Sequence, residues 1–276
     1  MNNFSRRSIT GIVFVLVLGG AILLNPISFF ALFGVIVALG ITEFYKLLDS
    51  THLKANKTFG LLSGLLFFSI TCLYAAGFLN ASWFWVMVPI ISLVFISELY
   101  QKHDSPFQNI AITLFGVLYI AVPFSLLVIF GFPQLTIEGY QPKLVIGFFF
   151  LLWANDTGAY LTGITLGKHP MFPRISPKKS WEGFAGGFFF TQIVAFIISK
   201  YFIGLEMTDW IVIAVIICIF GVWGDLIESM LKRSLSIKDS GNILPGHGGI
   251  LDRFDSVLFS APIVFVYLQL KNLMLF

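Results

Sequence analysis

Residues 108–130 read QNIAITLFGVLYIAVPFSLLVIF, without one charged side chain. An α-helix needs about 20 mainly apolar residues to cross the hydrocarbon core of a bilayer. This stretch therefore predicts a membrane-spanning helix. A strand of a membrane barrel would alternate apolar and polar positions, and no such alternation is present. Working outward, comparable runs recur at 8–24, 26–48, 59–79, 81–100, 144–165, 182–203, 209–231 and 256–275. With the quoted run they predict an all-α polytopic membrane protein of about nine transmembrane helices. Only Asn25-Pro26 separates the first two.

Composition carries the same message. Of 276 residues 57% are apolar and 11% charged, Phe occurs 32 times, and the mean hydropathy is +0.91. Soluble chains average about 25% charged residues, so this chain lacks the groups to cover a water-facing surface. A soluble enzyme, a disordered chain and a disulfide scaffold are excluded. Cys72 and Cys218 each lie within an apolar run, where a thiol acts as a small hydrophobe. Arg6 and Arg7 precede an apolar stretch as in a signal peptide. No small-residue cleavage pattern closes that stretch, so it is read as retained.

Basic residues fix the expected orientation. With nine helices and a cytoplasmic N-terminus, fourteen of the 17 Lys and Arg fall on the cytoplasmic side. Only Lys143, Lys200 and Lys271 fall on the other. The chain reads as a single membrane domain, 1–276, uneven in character. Residues 1–140 are hydrophobic scaffold, whereas 141–276 hold catalytic helices and polar loops. Gly60-x-x-x-Gly64 and Gly183-x-x-x-Gly187 predict close helix contacts, within or between subunits.

The polar residues that could carry chemistry cluster late in the chain. Asp225 precedes Lys232 by seven residues, which places it about 10 Å inside the helix end. A carboxylate at that depth is a functional candidate by default. Glu228 shares its helix face. Asp252 and Asp255 follow at the start of the last helix. Carboxylates converging on one pocket suit a hard divalent ion such as Mg²⁺, which completes its shell with water and phosphate oxygens. Lys232, Arg233, Lys238 and Arg253 alternate with those acids, a mixture suited to polyphosphate. The turn Gly246-His247-Gly248-Gly249 would let backbone N–H groups approach phosphate oxygens.

A second cluster, Asn155-Asp156-Thr157-Gly158, lies in the sixth run. The loop after it carries Arg174, Ser176, Lys178 and Lys179, positive charge for a phosphate-bearing ligand. Ser180 reads either as part of that loop's chemistry or as the cap of the next helix. Glu43 and Glu98, beside Tyr45, Lys46 and Tyr100 at helix ends, read as interface anchors. His52, His103 and His169 show no ligand spacing.

Residues 229–255 resemble the signature of the phosphatidate cytidylyltransferase (CDP-diacylglycerol synthase) family: S-x-x-K-R, K-D-x-G, L-P-x-H-G-G and D-R-x-D. The fixed positions are present as Ser229, Lys232, Arg233, Lys238, Asp239, Gly241, His247, Gly248, Gly249, Asp252, Arg253 and Asp255. The N-D-T-G-A-Y and S-P-K-K-S-W-E-G stretches are similar to that family as well. The resemblance implies cytidylyl transfer from CTP to phosphatidic acid, yielding CDP-diacylglycerol and pyrophosphate, at the cytoplasmic side of the cell (inner) membrane. It implies Mg²⁺ with Asp225 and Asp252 as ligands, a monovalent cation such as K⁺ nearby, a homodimer, and a cavity open to cytoplasm and lipid. No nucleic-acid partner is implied. The catalytic group would be Asp225, Lys232, Arg233, Lys238, Asp239, His247, Asp252, Arg253 and Asp255. Substrate would be bound by Asn155, Asp156, Arg174, Ser176, Lys178, Lys179, Ser229, Gly248 and Gly249.

Other readings fit less well. A transporter would bring broken helices at the midplane or paired repeats, whereas these polar residues crowd one face. A CDP-alcohol phosphotransferase would carry D-x-x-D-G-x-x-A-R, which is absent from the sequence. A CTP-dependent lipid kinase is the nearer alternative.

Overall fold

The computed structural model describes residues 3–133, 135–202, 204–241, 243 and 248–274. Its architecture is helical, with one short hairpin. Eight helices among the described residues are long and apolar enough to span a membrane. The ninth predicted run is present as the shorter apolar stretch Ile9–Leu24. The chain is thus a multi-pass membrane protein. It divides into two compact units, 1–140 with 235–254, and 141–234 with 255–276. The break after residue 140 coincides with the change of character in the sequence. The segment 235–254 instead belongs with the first unit.

In the first unit, α1 (Asn3–Leu24) and α2 (Pro26–Leu47) are distinct helices. Asn25 separates them through a reciprocal cap: the Ser28 backbone N–H donates to Asn25 Oδ1 at 2.9 Å, and the Asn25 N–H to Ser28 Oγ at 3.3 Å. Pro26 at the first helical position costs no hydrogen bond there. Next comes α3 (Lys57–Ala75). It stops earlier than the apolar pattern does, because Gly77 adopts φ +79° and closes the helix end. The Phe78 N–H then reaches back to the Leu73 carbonyl at 2.9 Å, a Schellman-type termination. Gly60 and Gly64 of α3 face Tyr45 and Ile41 of α2, so the first close-packing motif acts within the chain.

A 3₁₀ segment leads into α4 (Met87–Leu99), and α5 (Pro106–Gly116) with α6 (Val122–Phe130) completes this unit's spans. Between α5 and α6 the quoted run passes through a π-turn, Val117–Ala121, where the Val122 N–H bonds the Val117 carbonyl. Pro123 has no N–H to continue the ordinary ladder, and the wider turn absorbs the defect without breaking the span. Tyr140, just outside the spans, donates to the Ile22 carbonyl at 2.7 Å. Burial pushes its phenol above the ordinary range.

The second unit starts with α7 (Pro142–Leu166), followed by the hairpin β1 (Pro170–Phe172) and β2 (Ser176–Ser180). Then come α8 (Trp181–Tyr201), α9 (Met207–Ser234) and α10 (Leu251–Met274), whose first residues still belong to the first unit. The hairpin has no counterpart in the sequence reading, being too short and polar to show a pattern. It is tied to α8 by Glu182, which accepts from the Lys168 and His169 backbone N–H groups at 3.1 and 3.2 Å. His169 Nδ1 lies 2.5 Å from the same carboxylate.

Ser180 caps α8, accepting from the Gly183 N–H at 3.1 Å. Glycines bring α7 and α8 together. A Cβ on Gly187 would stand 2.8 Å from Asn155 Oδ1, and one on Gly158 2.7 Å from Phe190 Cβ. The second close-packing motif therefore also acts within the chain. At the far ends of α9 and α10, buried Asp209 pairs with Lys271 at 2.5 Å and accepts from Tyr267 Oη at 2.8 Å.

Candidate active site

The C-terminal half of α9 turns one polar face toward α10. Gly221, Asp225, Glu228, Ser229 and Lys232 follow the three-and-four spacing that stacks side chains on a helix. Gly224 lets the two helices approach: a Cβ there would collide with the main-chain oxygen of Asp255. Ser256 Oγ adds a hydrogen bond to the Gly221 carbonyl at 3.1 Å. Asp255 is thereby brought against the polar face. Asp225, Glu228 and Asp255 each offer a carboxylate oxygen, and these lie within 4.8 Å of one another.

Cations border the three acids. Lys179 Nζ lies 2.5 Å from Asp225 Oδ2, and Lys232 Nζ lies 2.5 Å from Glu228 Oε2. Ser229 Oγ donates to Asp225 Oδ1 at 3.2 Å. Glu228 is buried, with its side chain 1% exposed. Like charges this close, in low dielectric, favour a positive ion among them. Their oxygen donors match a hard divalent cation.

A cavity of about 320 Å³ opens beside this face. Asn155 and Asp156 of α7, Lys178 and Lys179 of β2, and Asp225 and Ser256 line it. The structure thus brings five sequence-predicted residues to one cavity. Asn155 is buried, and its Oδ1 has no hydrogen-bond partner among the described residues. Ser176 and Arg174 lie in the hairpin and its turn but outside the lining. Arg233 is exposed at the end of α9. Glu228, recognised in the sequence only as a neighbour of Asp225, joins the acid cluster.

The rest of the predicted site lies in the first unit. Lys238, Asp239 and Arg253 are exposed. His247 lies outside the described residues. Asp252 Oδ2 accepts from the Ser240 N–H at 2.9 Å and the Gly249 N–H at 2.9 Å, and lies 2.8 Å from Ser240 Oγ. The Gly249 N–H, read from the sequence as a phosphate donor, is thus directed at Asp252. Gly248 has φ +79°, the left-handed region that favours glycine, and a Cβ there would also strike the Asp252 carboxylate.

Glu43 differs most from its sequence reading. Instead of anchoring at an interface it is 3% exposed, and it accepts from Ser240 Oγ at 2.5 Å, the Ile250 N–H at 2.8 Å and the Leu251 N–H at 3.0 Å. The last two donors open α10, where a carboxylate meets the positive end of the helix dipole. Its only sequence signal is an acid inside an otherwise apolar run. Glu98 is buried too, and accepts from Asn109 Nδ2 at 2.8 Å beside His103.

An all-helical, multi-pass protein with Asp156, Asp225, Lys178 and Lys179 lining one cavity, and buried Glu228 next to Asp225 on the same helix, defines the class: an integral membrane enzyme. More particularly, the chain belongs to the cytidylyltransferase family, whose family model matches residues 5–271. A phosphatidate cytidylyltransferase of Staphylococcus aureus is 41% identical over 193 residues, covering 67% of this chain and 71% of its own. Phosphatidate cytidylyltransferases of Staphylococcus epidermidis and Staphylococcus haemolyticus are each 34% identical, over 277 and 271 residues, covering 95% of this chain and 98% of theirs.

Proposed function

We propose that the protein transfers the cytidylyl group of CTP to phosphatidic acid, giving CDP-diacylglycerol and pyrophosphate in phospholipid biosynthesis. The observation that carries this is the near end-to-end match to phosphatidate cytidylyltransferases. A phosphate oxygen of the lipid attacks the α-phosphorus of CTP. A new P–O–P bond forms, the bond from the α-phosphorus to the bridging oxygen breaks, and that oxygen leaves with pyrophosphate. No covalent bond to the protein is needed, and positioning with charge stabilisation does most of the work.

Lys178 and Lys179 at the cavity supply positive charge for a phosphate-bearing ligand, with Arg174 beyond them. Asp225, with Glu228 and Asp255, supports a divalent-ion site, and the signature motif supports Asp252 as a further carboxylate ligand. Mg²⁺, when bound there, supplies neutralisation of charge on the departing pyrophosphate. Lys232 keeps Glu228 compensated, and Ser229 orients Asp225. The family resemblance supports a nearby monovalent cation and a homodimer. The basic bias supports a reaction at the cytoplasmic side of the cell membrane, where CTP is found. Purified protein supplied with CTP, phosphatidic acid and Mg²⁺ should release pyrophosphate in equal amount to a cytidine-bearing lipid. CDP with a doubly phosphorylated lipid would mean a kinase instead.

A further inference from the structure

We propose that Glu43, on α2, is a positioning residue for Asp252 and for the motif residues Ser240, Gly241 and Gly249. Three observations within the first unit converge. The Glu43 carboxylate accepts from Ser240 Oγ and from the Ile250 and Leu251 N–H groups. The same Ser240 hydroxyl lies 2.8 Å from Asp252 Oδ2. Two glycines of the motif, Gly241 and Gly249, lie directly against Glu43. A Cβ at Gly241 would stand 2.9 Å from Glu43 Oε2, and one at Gly249 would overlap the carboxylate. Those glycines therefore make room for a carboxylate as well as for a turn.

Only a carboxylate can accept all three donors at once. An amide in its place turns one acceptor into a donor, so one of the three bonds fails. Ser240, buried between two acids, has one proton for two acceptors. It donates to Glu43 or to Asp252, and the backbone N–H groups of Ser240 and Gly249 hold Asp252 in either case. Glu43 thus acts through Ser240 and the start of α10, without touching the reacting atoms. Partners of this kind set the orientation of ligating carboxylates, and their loss costs about 10–100-fold in metal affinity or activity.

The kinetic arm of the test rests on the proposed cytidylyl transfer; two other arms do not. Glu43→Gln, Ser240→Ala and the double variant would be purified beside the parent. Mn²⁺ binding would be measured by electron paramagnetic resonance, and backbone exchange by mass spectrometry. Glu43→Gln should weaken Mn²⁺ binding about 10–100-fold, lower kcat/KM for CTP by a similar factor, and speed exchange at Ile250 and Leu251. Ser240→Ala should reproduce the Mn²⁺ and kinetic losses with little change in thermal stability, and the double variant should lose little more. An inactive parent would overturn the proposed function and leave the Mn²⁺ and exchange arms to decide on Glu43. If Glu43→Gln lowers thermal stability, or Ser240→Ala folds normally, while Mn²⁺ affinity and the kcat/KM of the folded fraction match the parent, the positioning role is wrong.

Discussion

Asp225 shares its carboxylate between Lys179 and Ser229, whereas Asp252 is held by Ser240 and Gly249. Replacing either with Asn keeps the shape but removes the charge that a hard cation needs. Turnover should fall by about 10²-fold or more in each case, the scale of losing one electrostatic stabiliser. Glu98→Gln, whose partners are Asn109 and His103, should stay within a few-fold. Labelled-CTP turnover on variants that insert and purify like the parent checks both; near-normal turnover in Asp225→Asn and Asp252→Asn would remove the metal assignment. At this scale Asp225 was legible because a carboxylate stood on an apolar helix a fixed distance from its charged end. Glu43 was not, because its partners lie about two hundred residues away and nothing local to α2 announces them.

Among the elements, α7 and α8 show how small residues set helix spacing. Gly158 faces the Phe190 side chain and the Gly186 carbonyl, which a Cβ would approach to 2.7 and 3.0 Å. Gly158→Val should therefore overpack this contact, at a cost of about 1–3 kcal/mol. A thermal melt in detergent should show a transition several degrees lower; an unchanged transition would mean that the helices separate freely. The spacing of Gly183 and Gly187 made this contact legible, though not its partner. The π-turn in the quoted run and the hairpin at 170–180 escaped the sequence reading for a shared reason. Each is settled by hydrogen bonds rather than by hydropathy: the missing Pro123 N–H in one, Glu182 in the other.

For the whole molecule, apolar runs alone foretold a polytopic helical protein, since an uncharged run of sufficient length has few other solutions. The sequence shows where its character changes, near residue 140, but reads as one membrane domain and does not show the two compact units. Segment 235–254 joined the first unit because buried Glu43 and Ser240 bind it there. The orientation proposed from the basic bias predicts a labelling pattern. Cys72 and Cys218 are buried, so a cysteine introduced at Ser176 should react with an impermeant reagent only once the inner face is opened. One at exposed Thr136 should react in sealed cells; the reverse pattern would overturn the orientation.

The central claim is that the α-phosphorus of CTP, not the γ-phosphorus, is transferred to the lipid. The most direct measurement follows two labels in parallel, using purified protein, phosphatidic acid, Mg²⁺ and CTP labelled at the α- or the γ-phosphate. The α-label should enter the lipid together with cytidine, and the γ-label should leave entirely as pyrophosphate, in equal amount. A γ-label found in the lipid, with the α-label remaining in soluble CDP, would contradict the account.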